Sequence, residues 1–164
     1  MFDTSIPYLT HYLKALSAIL KKAEAHCEAK KIDHNAILNF RLFPDMLPFT
    51  RQVQIACDFP KGCVARLAGV AVPSFSDDEK TFADLQARIA KTLEFMGGFS
   101  KEQIAGSATR DVTIKVAGKD TTMPGAQYYS GFVVPNFYFH LTTAYNILRH
   151  NGVELGKADF MGRT

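Results

Sequence analysis

Cysteine is scarce: Cys27, Cys57 and Cys63 are the only three, and none stands in C-x-x-C spacing. That argues against a disulfide framework or a structural zinc module and fits reduced, buried thiols in a cytoplasmic protein. An excess of one charge is also lacking. The formal net charge is +3, with acidic and basic residues interspersed, which leaves neither a basic stripe for phosphates nor an acidic tail. Nucleic acid is therefore not an expected partner. No apolar run approaches the length of a bilayer crossing, and Asp3 stands among the first residues with no basic segment around it, so neither membrane insertion nor export is expected. The motifs G-x-S-x-G, G-x-G-x-x-G and G-x-x-x-x-G-K-[ST] are missing, which disfavours a serine hydrolase and a nucleotide enzyme. No repeat, low-complexity tract or linker divides the 164 residues, and with 47% hydrophobic content residues 1–164 are expected to form a single domain with a substantial core.

What is present is helical spacing. Thr4 is placed to cap a first helix with Pro7 in its opening turn, along which Ile6, Leu9, Leu13, Leu16, Leu20, Ala23 and Cys27 alternate steps of three and four. Tyr12, Ile19 and His26 flank that seam, and His11 and His34 read as solvent-facing. Asp33 can cap a short turn, HNAILNF. RLFPDMLPF, from Arg41 to Phe49, is an ordered connection in which Arg41 and Asp45 are expected to pair, leading to a second long helix opened by Pro48. Phe49, Gln52, Ala56, Phe59, Cys63 and Val70 mark its inner face, Pro60 should kink or interrupt it, and Gly69 and Pro73 end it. Ser76 with Glu79 is expected to form the capping box of a third helix carrying Phe82, Leu85, Ile89, Leu93 and Met96, stopped by Gly97 and Gly98.

After a capped turn at Ser100 to Ile104 the period changes to two, with Val112, Ile114 and Val116 against Thr113 and Lys115. With Gly118 in the turn and a partner strand near Thr121 to Met123, this is a small hairpin between the third and fourth long helices, which must lie on the rest of the fold or on another subunit. A short stretch through Tyr128, Tyr129 and Phe132 follows, and Pro135 opens the final helix, PNFYFHLTTAYNILRHNG. There Phe137, His140, Ala144 and Ile147 share one row, which puts His140 within the apolar stripe, with Asn136 one turn before it. Two readings stay open for His140: a core ring satisfied by Asn136 or a carbonyl, or a ligand-binding or catalytic group. Gln52 has the same pair of readings. Tyr128, Tyr129, Tyr138 and Tyr145 could line a pocket or simply pack, and Cys57 or Cys63 with His140 is a conceivable nucleophile, disfavoured because Cys63 sits in an apolar row.

The run from His140 to Phe160, HLTTAYNILRHNGVELGKADF, resembles the last helix and tail of DinB-like (DinB/YfiT-like) proteins. RLFPDMLPF, QVQIACDF and the final helix are similar to one branch of that superfamily, a domain of unknown function, across nearly the whole chain. The resemblance implies an all-α four-helix bundle with the hairpin inserted between helices 3 and 4, often dimeric, with a pocket between the helices at one end. Metal-binding members carry one histidine on the second helix and an H-x-x-x-H pair on the fourth. Here that pair reads N-x-x-x-H, at Asn136 and His140, and the helix from Pro48 to Gly69 has no histidine. Its inward candidate is Gln52, with Gln54, Cys57 or Asp58 in a shifted register. Amides are poor transition-metal ligands, so no metal cofactor is expected; if a divalent ion binds, His140 and Asp58 are the candidates.

The expectation is thus a DinB-like bundle with a degenerate metal site and a polar pocket of Gln52, Asn136 and His140, binding a small ligand or serving without catalysis, as a cytoplasmic homodimer. Whether it is an enzyme stays open. One alternative is a metal- or thiol-dependent transferase using His140 as base or ligand; another is a homodimeric interaction module in which the polar residues only set helix register.

Overall fold

Apolar residues at steps of three and four commit most of this chain to helices that can hide one face each, and the computed structural model, which describes residues 1–163, shows how those faces meet. Helix α1 (Phe2–Lys30) buries the whole row from Ile6 to Cys27. Its amino terminus differs from expectation. Met1 is the cap, and Thr4 lies inside the helix with its hydroxyl donating to the Met1 carbonyl. Asp33 caps α2 (His34–Leu38) by accepting from the Asn35 N–H at 2.9 Å. In the connection that follows, Arg41 does not pair with Asp45: its guanidinium donates to the Met46 carbonyl at 2.5 Å and closes the turn.

Helix α3 (Phe49–Ala68) starts after Pro48, continues through Pro60 without interruption and ends at Gly69, whose φ of 72° is the left-handed cap geometry that glycine adopts freely. Val70 falls beyond that cap and is exposed rather than inward. Residues 70–80 carry no regular structure and form an extended strap. The expected capping box at Ser76 and Glu79 is therefore displaced: α4 (Phe82–Gly97) is capped by Thr81, with Asp84 as its reciprocal partner. Ser76 and Glu79 instead hold Arg88, which a sequence pattern of caps cannot reveal.

The Ser100-capped turn is α5 (Lys101–Ile104). The hairpin comprises β1 (Asp111–Val116) and β2 (Lys119–Pro124), antiparallel with Val112 opposite Met123 and Ile114 opposite Thr121. Ala117 and Gly118 both have positive φ, the geometry of a two-residue turn that matches strand twist. Val112 and Ile114 are buried, so the sheet lies on the helices. Behind it, α6 (Gly125–Gln127) runs into a π-helical segment, Tyr128–Val133, and that passes directly into α7 (Val134–His150), so Pro135 sits in the first turn of a helix already under way. A last turn, α8 (Lys157–Phe160), is pinned to α1 by an ion pair between Lys22 and Asp159.

The chain is mostly helical with one small antiparallel sheet. Helix α3 is central: it packs against α7 on one side and α4 on the other, while α1 lies on α4 and touches α3. No helix is long and apolar enough to cross a membrane among the described residues.

Candidate functional site

Gln52 lies in the first turns of α3, where the amide is almost fully buried. A buried amide must place both ends, and here it does. Its Nε2 donates to the Leu47 carbonyl at 3.0 Å, which turns Oε1 towards α7. There Oε1 meets Nδ1 of His140 at 2.7 Å. Because a carboxamide oxygen only accepts, Nδ1 must carry the proton, and Nε2 of the ring is left with its lone pair. No protein group among the described residues bonds Nε2. The ring is half-buried at the edge of the α7 stripe rather than in its middle, with Phe59 stacked on it at 6.0 Å and Phe139 meeting it edge-on at 5.2 Å. Burial, and then the positive charge of Arg51, hold its pKa below the ordinary histidine value, so the ring is neutral near pH 7.

Asn136 takes no part in this pairing. Its Nδ2 turns back along the chain and donates to the Phe132 carbonyl at 2.7 Å, a local bond that competes well with any partner across the fold. The structure therefore brings two of the three sequence candidates together and leaves the third on its own helix. Asp58 is also committed elsewhere, accepting from Lys61 at 2.8 Å and Arg88 at 2.9 Å. Among the described residues no three His, Cys, Asp or Glu side chains gather closely enough to hold an ion, and the sequence candidates Gln52, Asn136 and His140 are two amides and one imidazole. That donor set does not fit a tightly held transition metal. Cys57 and Cys63 are poorly suited to nucleophilic chemistry: both are buried, and burial pushes their thiols up to about 12, far from the thiolate a nucleophile needs.

Three features were not visible in the spacing. Arg51, one residue before Gln52, joins Gln54 and Asp77. Arg88, with its side chain only 2% exposed, gathers Asp58, Asp77 and Glu79, all within 3.0 Å, and fastens the strap to α3 and α4. Phe59 links the His140 ring on one side to Phe132 on the other, at 5.7 Å, and so forms a wall of a cleft beneath the hairpin. Of the tyrosines, Tyr128 lines that cleft, whereas Tyr129 donates to the Thr4 carbonyl and Tyr138 and Tyr145 pack on Tyr12 and Phe160.

Comparison with known proteins agrees with this architecture. Residues 1–161 match the family described as a domain of unknown function, DUF1993. No curated protein matches. A crystal structure of a DinB family member protein from Shewanella denitrificans is 44% identical, covers 99% of this chain and 92% of its own, and superposes with a TM-score of 0.90. The chain belongs to the DUF1993 family, a branch of the DinB-like proteins whose function is unknown.

Proposed function

We propose that this chain is a metal-independent four-helix bundle of DinB type that binds a small ligand through His140. The observation that carries the reading is the bond from His140 Nδ1 to Gln52 Oε1. At the position of a ligating histidine, Gln52 becomes a residue that orients the remaining one, and it leaves Nε2 as a neutral acceptor for a ligand's N–H or O–H. Asn136, bonded to its own helix, borders this site rather than completing it.

A second reading, an enzyme of transferase type, draws on the same lone pair, since a neutral imidazole with a fixed tautomer is what a general base requires. A homodimer is the assembly we favour, supported by exposed apolar side chains: Phe139, which meets the His140 ring, is 56% exposed and Phe43 is 64% exposed. Three buried thiols support a cytoplasmic setting.

Long-range proton–nitrogen NMR of the imidazole tests the proposal. It should show a protonated Nδ1 and a bare Nε2 at neutral pH, unchanged when zinc is added and perturbed when a ligand binds. A protonated Nε2, or a shift to a metal-bound nitrogen, would overturn it.

A further inference from the structure

Beneath the hairpin lies a cleft of ≈ 610 Å³, within the usual range for small-molecule sites of roughly 300–1,000 Å³. Its walls are largely apolar: Ile55 and Phe59 from α3, Ile114 from β1, Tyr128 and Phe132 from the π-helical segment. Tyr128 and Phe132 stack nearly parallel, centroids 6.0 Å apart at 23°, and Phe59 meets Phe132 at 5.7 Å, so three aromatic rings line the slot. Six-residue π-helical segments are uncommon and tend to occur where a site is being shaped.

Four charged groups line the cleft, Asp58, Arg66, Lys115 and Asp120, and three of them are paired. Lys115 and Asp120 pair with each other at 3.1 Å on the exposed rim. Asp58 is shared by Lys61 and Arg88. Arg66 is left over. It is half-buried, its Nη1 donates to the Tyr128 hydroxyl at 3.0 Å, and no carboxylate pairs with it among the described residues. A guanidinium usually binds a carboxylate through two N–H groups, and here one neutral phenol occupies a single N–H. Space for the group is also built in. A Cβ at Gly62 would stand 2.4 Å from Arg66 Nη1, so an alanine there would make the end of the Arg66 side chain move from its present position. Glycine inside a helix is less favourable than alanine, and room for the Arg66 guanidinium gives its presence here a reason.

We propose that this cleft binds a small organic monocarboxylate, its aromatic or aliphatic body between Phe59, Phe132 and Ile114 and its carboxylate on Arg66. One unpaired cation beside apolar walls matches one negative charge on an apolar body; a phosphate would call for more donors than a single guanidinium. The ring of Phe59 stands between the cleft and His140, so this site and the tautomer reading stand or fall separately.

Titration with phenylacetate and octanoate, beside phenylacetamide, octanamide and inorganic phosphate, tests the assignment by calorimetry and by NMR of the Phe59, Phe132 and Tyr128 rings. At least one acid should bind and shift those rings, at least tenfold more tightly than its amide. R66Q should remove that preference while leaving the amide unchanged, and R66K should restore part of it. G62A, which keeps Arg66 but displaces its guanidinium, should weaken acid binding at least fivefold. Thermal melting confirms that each variant is folded. Binding of neither acid, equal binding of acid and amide, unchanged affinity in R66Q, or phosphate binding as tightly as the acids would each overturn it.

Discussion

One hydrogen-bonded amide decides what the His140 ring can do. With Gln52 Nε2 on the Leu47 carbonyl and Oε1 on His140 Nδ1, both partners depend on a single side chain. Gln52→Leu keeps the volume and removes both bonds. It should destabilise the protein by about 1–2 kcal/mol, because the Leu47 carbonyl and the ring N–H lose their partner, the latter only in part since water can reach it. Chemical denaturation measures this; a neutral result would mean that the pair is not formed. The ring also predicts a direction with pH. Its folded pKa lies below the ordinary value of about 6.5, so the unfolded chain binds more protons in the window between the two. Stability contributed by His140 should be complete above that window and should fall as pH drops through it. His140→Gln should flatten the stability profile below the ordinary histidine value of about 6.5. At this scale sequence spacing found Gln52 and His140 and put them on facing rows, yet it could not choose a bonding partner. Asn136 stood at the same helical step, and only its bond to the Phe132 carbonyl separates it from the pair.

Among the elements, the strap and the hairpin carry the sharpest expectations. Residues 70–80 have no ladder or helix of their own and are held largely by Arg88 and Arg51. Phe75 adds to this, with the ammonium groups of Lys61 and Lys91 each 4.2 Å from its ring centre. Arg88→Ala should cost about 3 kcal/mol, at the low end for a broken buried ion pair because Asp58 and Asp77 are 36% and 43% exposed. Limited proteolysis should then cut first within the strap; resistance there would contradict its anchoring. Gly125 is a second fixed point. A Cβ would lie 2.1 Å from the Ser107 carbonyl oxygen, so Gly125→Ala must push the start of α6 away from the turn that follows α5, at a cost of about 2 kcal/mol or more in a melting experiment. The four long helices and the hairpin were readable because each has an apolar period of its own. The strap imitates a helix start because Ser76 and Glu79 have the spacing of a capping box, and the partner that claims them, Arg88, lies nine and more residues away. The π-helical segment left no periodic trace at all, since its six residues span little more than one turn.

For the whole molecule, the resemblance to DinB-like proteins supplied the architecture, and the departures from it supply the functional reading. On the proposed reading, Gln52 and His140 serve hydrogen bonding rather than metal coordination, and the exposed rings of Phe43 and Phe139 are the apolar groups offered to a second copy. Light scattering across a concentration series should therefore give twice the chain mass, and substituting Phe43 and Phe139 by Glu should give a monomer of unchanged helicity; a wild-type monomer at every concentration would remove the dimer from the account. Metal content bears on the central claim without further assumptions. Native mass spectrometry of protein produced in zinc-supplemented cells and dialysed against a chelator should show the bare polypeptide mass, and a stoichiometric zinc, nickel or iron adduct that survives dialysis would contradict a metal-independent site.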